Sequence, residues 1–280
     1  MRRNLDLTSL TAALLLVAVA AQAQTPAVPA EGSASFTIFA GATPIGTEEI
    51  TVSRSGNNWR ISSSGQQRAP IALTINSFEA TYAGDWHPRE VKLDMIFREE
   101  GITSTTSFGV TTAVTDIEQA GRKGSVSHEI TSRTVVLPNG VYGAYEALAV
   151  RLAGAKAGDT LRIFVVPQAE IAATVKAVSD QNVSTLSGDV ALKRYEMEFA
   201  NPDGRVVPIA VDVDQHNRLA RVVVASQLSV VRNDLASVSA RAETYRNPGD
   251  ENILIPGNGF NLAGTLTLPP DVRSLPVPAR

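Results

Sequence analysis

The chain has 280 residues, of which 19% are charged, a net charge of −3 and no cysteine. The acidic balance argues against a nucleic-acid partner, which needs a basic patch. The missing thiols exclude disulfides, cysteine-based zinc sites and thiol catalysis, so core burial has to hold the fold together.

The first 23 residues read as a secretory signal peptide. Arg2 and Arg3 give a positive start, Leu10 to Ala20 is an apolar run, and Ala21-Gln22-Ala23 is a small-x-small cleavage site. A membrane anchor is the competing reading, but a span needs roughly 20 apolar residues and this run is shorter. No later segment is long and apolar enough to cross a membrane. The expected location is therefore the bacterial periplasm or the medium. Residues 24–32 form a Pro/Ala linker without periodicity.

From residue 33 strands follow one another. Ser35-Phe36-Thr37-Ile38-Phe39 alternates, as does Glu49-Ile50-Thr51-Val52-Ser53, and Ser55-Gly56-Asn57-Asn58 is a hairpin turn. Ile71, Leu73 and Ile75 share a face. Val91, Leu93, Met95 and Phe97 alternate with Lys92, Asp94, Ile96 and Arg98, the mark of a half-buried strand. Ser and Thr abound from 102 to 134, as on exposed strand faces.

One helix interrupts this pattern. Asn139 is placed to cap it, and Val141, Tyr145, Leu148 and Leu152 fall on one helical face over 141–153. Gly154 and Gly158 stop it. Strands then resume with Leu161, Ile163 and Val165, with Tyr195, Met197 and Phe199, and with Val207, Ile209, Val211 and Val213. Asn201-Pro202-Asp203-Gly204 is a strong turn. The expected fold is mainly antiparallel β: a curled open barrel or half-barrel over 33–245 with one central helix.

Pro, Gly and charge cluster at 246–251, a second linker. A terminal β-hairpin follows. Phe260, Leu262, Leu266 and Leu268 recur at even spacing after the turn Gly257-Asn258-Gly259.

Catalytic constellations are absent from the pattern. His87, His128 and His216 have no His or Cys partner at metal spacing. Asp212, Asp214 and Asn217 offer hard oxygen ligands, but the stretch lacks the glycine and glutamate of a calcium loop. Asp and Asn also build tight turns, and the turn is the reading adopted. Glu99-Glu100 is an adjacent pair that a strand would point to opposite faces. No G-x-S-x-G elbow occurs. No catalytic residue, metal ligand or cofactor is assigned.

Binding is the remaining possibility. A curled sheet with an apolar concave face can hold an apolar small molecule or lipid. The candidate lining residues are Leu93, Met95, Phe97, Tyr195, Met197 and Phe199, with Val91 beside them. The same pattern also describes an ordinary core.

Two resemblances add to this. Phe36-Thr37-Ile38-Phe39 followed by Pro44-Ile45-Gly46, Trp59 after its hairpin, and Leu137-Pro138-Asn139-Gly140 before the helix resemble exported bacterial β-proteins of unknown function. Those are similar in layout to the lipoprotein-carrier half-barrels. That resemblance implies a sheet wrapped partly around a helix. Ile253-Leu254-Ile255-Pro256, then Gly259 to Pro269, resembles the first strand pair of secreted α/β-hydrolases of the esterase and peptidase kind. This resemblance implies a hydrolase domain beginning at 252, whose nucleophile, acid and histidine would lie beyond residue 280. No family catalytic residue has a matching position here.

Two functions are therefore expected. The chain is either the non-catalytic exported module of a serine α/β-hydrolase, or a self-standing periplasmic carrier of an apolar ligand. In the second case the tail can pair back onto the β body as an extra hairpin.

Overall fold

The computed structural model describes residues 28–185 and 188–235, and the backbone of 250–257 and 260–267. The expected signal peptide at 1–23 and most of the linker at 246–251 lie outside the described residues.

The alternating stretches form strands: β1 (Gly32–Ala40), β2 (Thr43–Ser55), β3 (Asn58–Gln67), β4 (Leu73–Tyr82), β5 (Pro88–Phe97), β6 (Glu100–Phe108), β7 (Thr112–Gln119) and β8 (Arg122–Glu129). A short β9 (Val135–Val136) precedes a single 3-10 turn at Tyr142–Ala144 and helix α1 (Tyr145–Leu152). Then come β10 (Thr160–Val165), β11 (Ala169–Thr185), β12 (Gly188–Ala200), β13 (Val206–Asp214), β14 (Leu219–Val224) and β15 (Leu228–Arg232). Strands β16 (Asp250–Gly257) and β17 (Phe260–Thr267) complete the described elements.

Strands β1 to β15 make one sheet, in the spatial order β8-β7-β6-β5-β4-β3-β2-β1-β15-β14-β13-β12-β11-β10-β9. Each arm is a meander of antiparallel hairpins, and only the β9–β10 pairing is parallel. The arms join where β1 pairs with β15, with Phe36 opposite Arg232 and Ile38 opposite Val230.

Register shifts at Ser63/Gly65 in β3, Ile75/Ser77 in β4 and Val175/Ala177 in β11 let the sheet curl. The curl brings the two edges back towards each other. The His128 ring on β8 lies 5.6 Å from that of Phe164 on β10. The Thr131 N–H and hydroxyl both donate to Glu170 Oε1, at 2.8 and 3.0 Å. The architecture is the expected curled antiparallel sheet with a central helix.

The helix fills the concave side. The sequence pattern assigned it one apolar face, but Ala144, Ala147, Ala149, Leu148 and Leu152 are all buried, so burial extends well beyond one face and leaves only Arg151 half-buried. Burying Leu148 and Leu152 contributes about 1.5–3 kcal/mol each. One fully buried charge enters with the helix. Glu146 takes Arg218 Nε and Nη2 at 3.0 and 2.9 Å on one oxygen, and the Leu219 N–H at 3.0 Å on the other.

Asn139 does not cap the helix. The Tyr142 and Gly143 N–H groups donate instead to Glu48 on β2, 94 and 95 residues earlier in the chain. A helix start buried against a sheet needs an acceptor from the sheet itself, because water cannot reach it.

The hairpin expected at the tail forms as β16–β17, with Ile255 opposite Leu262. It is a separate two-stranded sheet and does not extend the large one. Among the described residues no helix is long and apolar enough to cross a membrane.

Candidate ligand-binding cleft

Three loops converge at one end of the second arm. Leu137-Pro138-Asn139-Gly140 leads into the helix, the β10–β11 turn carries Gln168, and the β12–β13 turn carries Asn201 to Arg205. Between them lies a cleft of about 500 Å³. Its walls are apolar: Leu137, Val165, Ile171, Phe199, Val207 and Ile209. These come from four different strands and a loop, with each strand pointing alternate residues inward.

The helix start supplies the floor. Tyr142 and Tyr145 lie three residues apart, on one side of that turn, with ring centroids separated by 6.2 Å. Neither hydroxyl has a hydrogen-bond partner among the described residues. Burial raises both phenol pKa values, and for Tyr142 the neighbouring Tyr145 and Glu48 push the same way. Both therefore remain protonated donors at neutral pH.

Glu48 sits behind the floor, 1% exposed. Its Oε2 takes the Tyr142 N–H at 3.0 Å and its Oε1 the Gly143 N–H at 2.7 Å. Burial raises its pKa to about 7, against the lowering effect of these donors. The Ser63 hydroxyl stands beside the carboxyl but makes no well-angled bond. No cation among the described residues pairs with it, so burial prevails over hydrogen bonding.

The rim is polar and electrically balanced. Arg205 pairs with Asp203, Nη2 to Oδ2 at 2.6 Å, within the turn that Asn201 closes by accepting the Gly204 N–H at 3.0 Å. Asn139, Gln168 and Asn201 add carboxamides.

The six residues singled out from the sequence do not form one site. Tyr195, Met197 and Phe199 on β12 and Leu93 on β5 are buried in the core. Met95 is half-buried, and Phe97 is 37% exposed where β5 runs beyond the packed core. Phe199 alone of the six lines the cleft, while Leu93 borders a separate open depression on the first arm. The tyrosine floor escaped the sequence reading, which treated Tyr145 as one more helix-face residue. The missed signal was two tyrosines three apart at the helix start, next to Asn139-Gly140.

The chemistry considered at 212–217 resolves into structure. Asp214 Oδ1 accepts the His216 and Arg218 N–H groups at 2.9 and 3.0 Å, closing the turn, and Asn217 takes a left-handed φ of 57°. Asp212 bonds Arg221 at 2.6 Å. Among the described residues no group of three or more His, Asp or Glu could hold a metal ion.

The chain is similar to a solved crystal structure of a beta-barrel-like protein of a domain of unknown function, DUF1849, from Brucella abortus. The two share 11% identity with a TM-score of 0.45, over 71% of this chain and 93% of that one. No protein-family model and no curated protein matches the sequence.

Proposed function

We propose that this protein binds a small apolar molecule in the cleft above Tyr142 and Tyr145, as an exported carrier or sensor. The supporting observation is the cleft itself. It combines a volume of about 500 Å³ and aliphatic walls with a few polar groups at floor and rim, the composition of sites that take small ligands. The test is uptake of the uncharged dye N-phenyl-1-naphthylamine. Saturable fluorescence enhancement at one dye per chain is expected, and Val207→Asp in the half-buried wall should abolish it. Absence of saturable uptake by the unmodified protein would sink the reading.

A second reading rests on the self-paired hairpin β16–β17. We infer from its resemblance to the opening strands of secreted esterases and peptidases that the β body precedes a serine α/β-hydrolase domain in a longer parent. Sequencing the native frame past codon 280 decides it. A continuing frame with a G-x-S-x-G elbow and later Asp and His supports it. A stop there, together with an intact mass for residues 24–280, removes it.

A further inference from the structure

The charges of the cleft cancel at its exposed rim or stand behind its floor. Arg205, the cation of its lining, is bound to Asp203 through both Nε and Nη2, each at 2.6 Å. Among the described residues no other Lys, Arg or His lines the cleft. Behind the floor stands Glu48, an acid without a cation partner, reached through the Tyr142 backbone. A carboxylate or phosphate head entering the floor would lose its water, meet no cation and approach a group that itself ionises near neutral pH. A cationic head would find Asp203 already paired at the rim, and Glu48 turned to the Tyr142 and Gly143 N–H groups behind the floor rather than lining the cleft.

The floor nevertheless asks for a hydrogen bond. Tyr142 and Tyr145 both line the cleft, and neither phenol hydroxyl has an acceptor among the described residues. A donor in a mostly apolar site without an acceptor is costly, and a ligand oxygen is the natural remedy.

Building on the binding reading above, we propose that the cleft selects a neutral lipid-like molecule. Its single ester, ketone or hydroxyl oxygen accepts from Tyr142 and Tyr145 while its apolar body lies along Phe199, Val207 and Ile209. The fatty-acid anion of the same chain length is the molecule it rejects.

The experiment is displacement of bound N-phenyl-1-naphthylamine by methyl decanoate and by sodium decanoate at pH 8, in the unmodified protein and in Tyr142→Phe and Tyr145→Phe. Neither hydroxyl has a partner among the described residues, so both variants should fold, as circular dichroism and an unchanged urea midpoint will report, and each variant's own dye affinity is used to convert its displacement curves. The ester should displace dye at a concentration roughly tenfold lower than the carboxylate. At least one Phe variant should weaken ester binding roughly five- to tenfold, the effect of one lost hydrogen bond. If decanoate competes as well as the ester, or if both variants keep full ester affinity, the inference is wrong and the binding reading stands. If neither dye nor ester binds, both fall.

Discussion

The Glu48 carboxyl on β2 holds the first two N–H groups of the helical segment, those of Tyr142 and Gly143, at 3.0 and 2.7 Å. It is the tie between the first arm of the sheet and the plug inside it. Burial raises its pKa from 4.5 to about 7. A carboxyl whose folded pKa lies above its unfolded value binds more protons in the folded state. Its contribution to stability is then greatest below pH 4.5, falls as pH rises towards 7, and levels above it. The span corresponds to about 3 kcal/mol. Urea denaturation at intervals from pH 4.5 to 8 should show this slope on top of other titrations, and Glu48→Gln should remove it. An unchanged slope in the variant would show that Glu48 does not titrate in this range.

The second contact at the same place is steric. A methyl group on Gly143 would lie 2.7 Å from Ser63 Oγ, 2.8 Å from Ser63 Cβ and 3.0 Å from Glu48 Oε1. Gly143→Ala should therefore destabilise the protein by about 1–3 kcal/mol, as overpacking does. Ser63→Gly in the same chain should recover part of that loss. Chemical denaturation of the two single variants and the double variant reads the coupling.

Glu146 and Arg218 form a buried pair, 1% and 7% exposed. Arg218 also donates through Nη1 to the Ala30 and Gly32 carbonyls at 3.0 and 3.2 Å, so it fastens the start of β1 as well as the helix. Arg218→Met strands the Glu146 carboxylate and should cost about 3–5 kcal/mol. Replacing both with apolar residues, Glu146→Leu with Arg218→Met, should cost less than the single change. A double variant weaker than Arg218→Met would refute that account.

Phe97 and Phe199 both close a run of large apolar residues at every second position, yet they stand in different surroundings. Phe199→Ala should cost about 3–5 kcal/mol. Phe97→Ser, at a position 37% exposed, should cost under about 1 kcal/mol, as surface substitutions usually do. Thermal melts of the two variants make the comparison.

That pair shows how far the sequence could be read. Period-two alternation located the strands because antiparallel strands with one covered face leave that mark. The helix was placed by a different period, the single helical face of Val141, Tyr145, Leu148 and Leu152 in a run that stops at Gly154. Alternation cannot tell where along a strand the cover stops, so Met95 and Phe97 looked the same as Val91 and Leu93. The helix cap was invisible for another reason: Glu48 lies far upstream, and local rules look for an acceptor at the helix start, where Asn139 stood. The cleft was hidden because its walls are single residues from separate hairpins. No contiguous stretch carries its pattern.

The pairing of β1 with β15 has a consequence for the order of the chain itself. Every other strand pairing in the large sheet joins neighbours in sequence, and only this one waits for the far end of the domain. Suppose residue 235 were linked to residue 32 and the chain opened between β8 and β9, near Ser132. The sheet would then read from β9 to β15 and on from β1 to β8 as one uninterrupted walk, with the helical crossover from β9 to β10 as its longest closure. Such a circular permutant keeps every strand pairing of the sheet while making all of them local, so it should assemble faster than the natural order. The position of the break is thus a choice made by the gene, not a demand of the architecture.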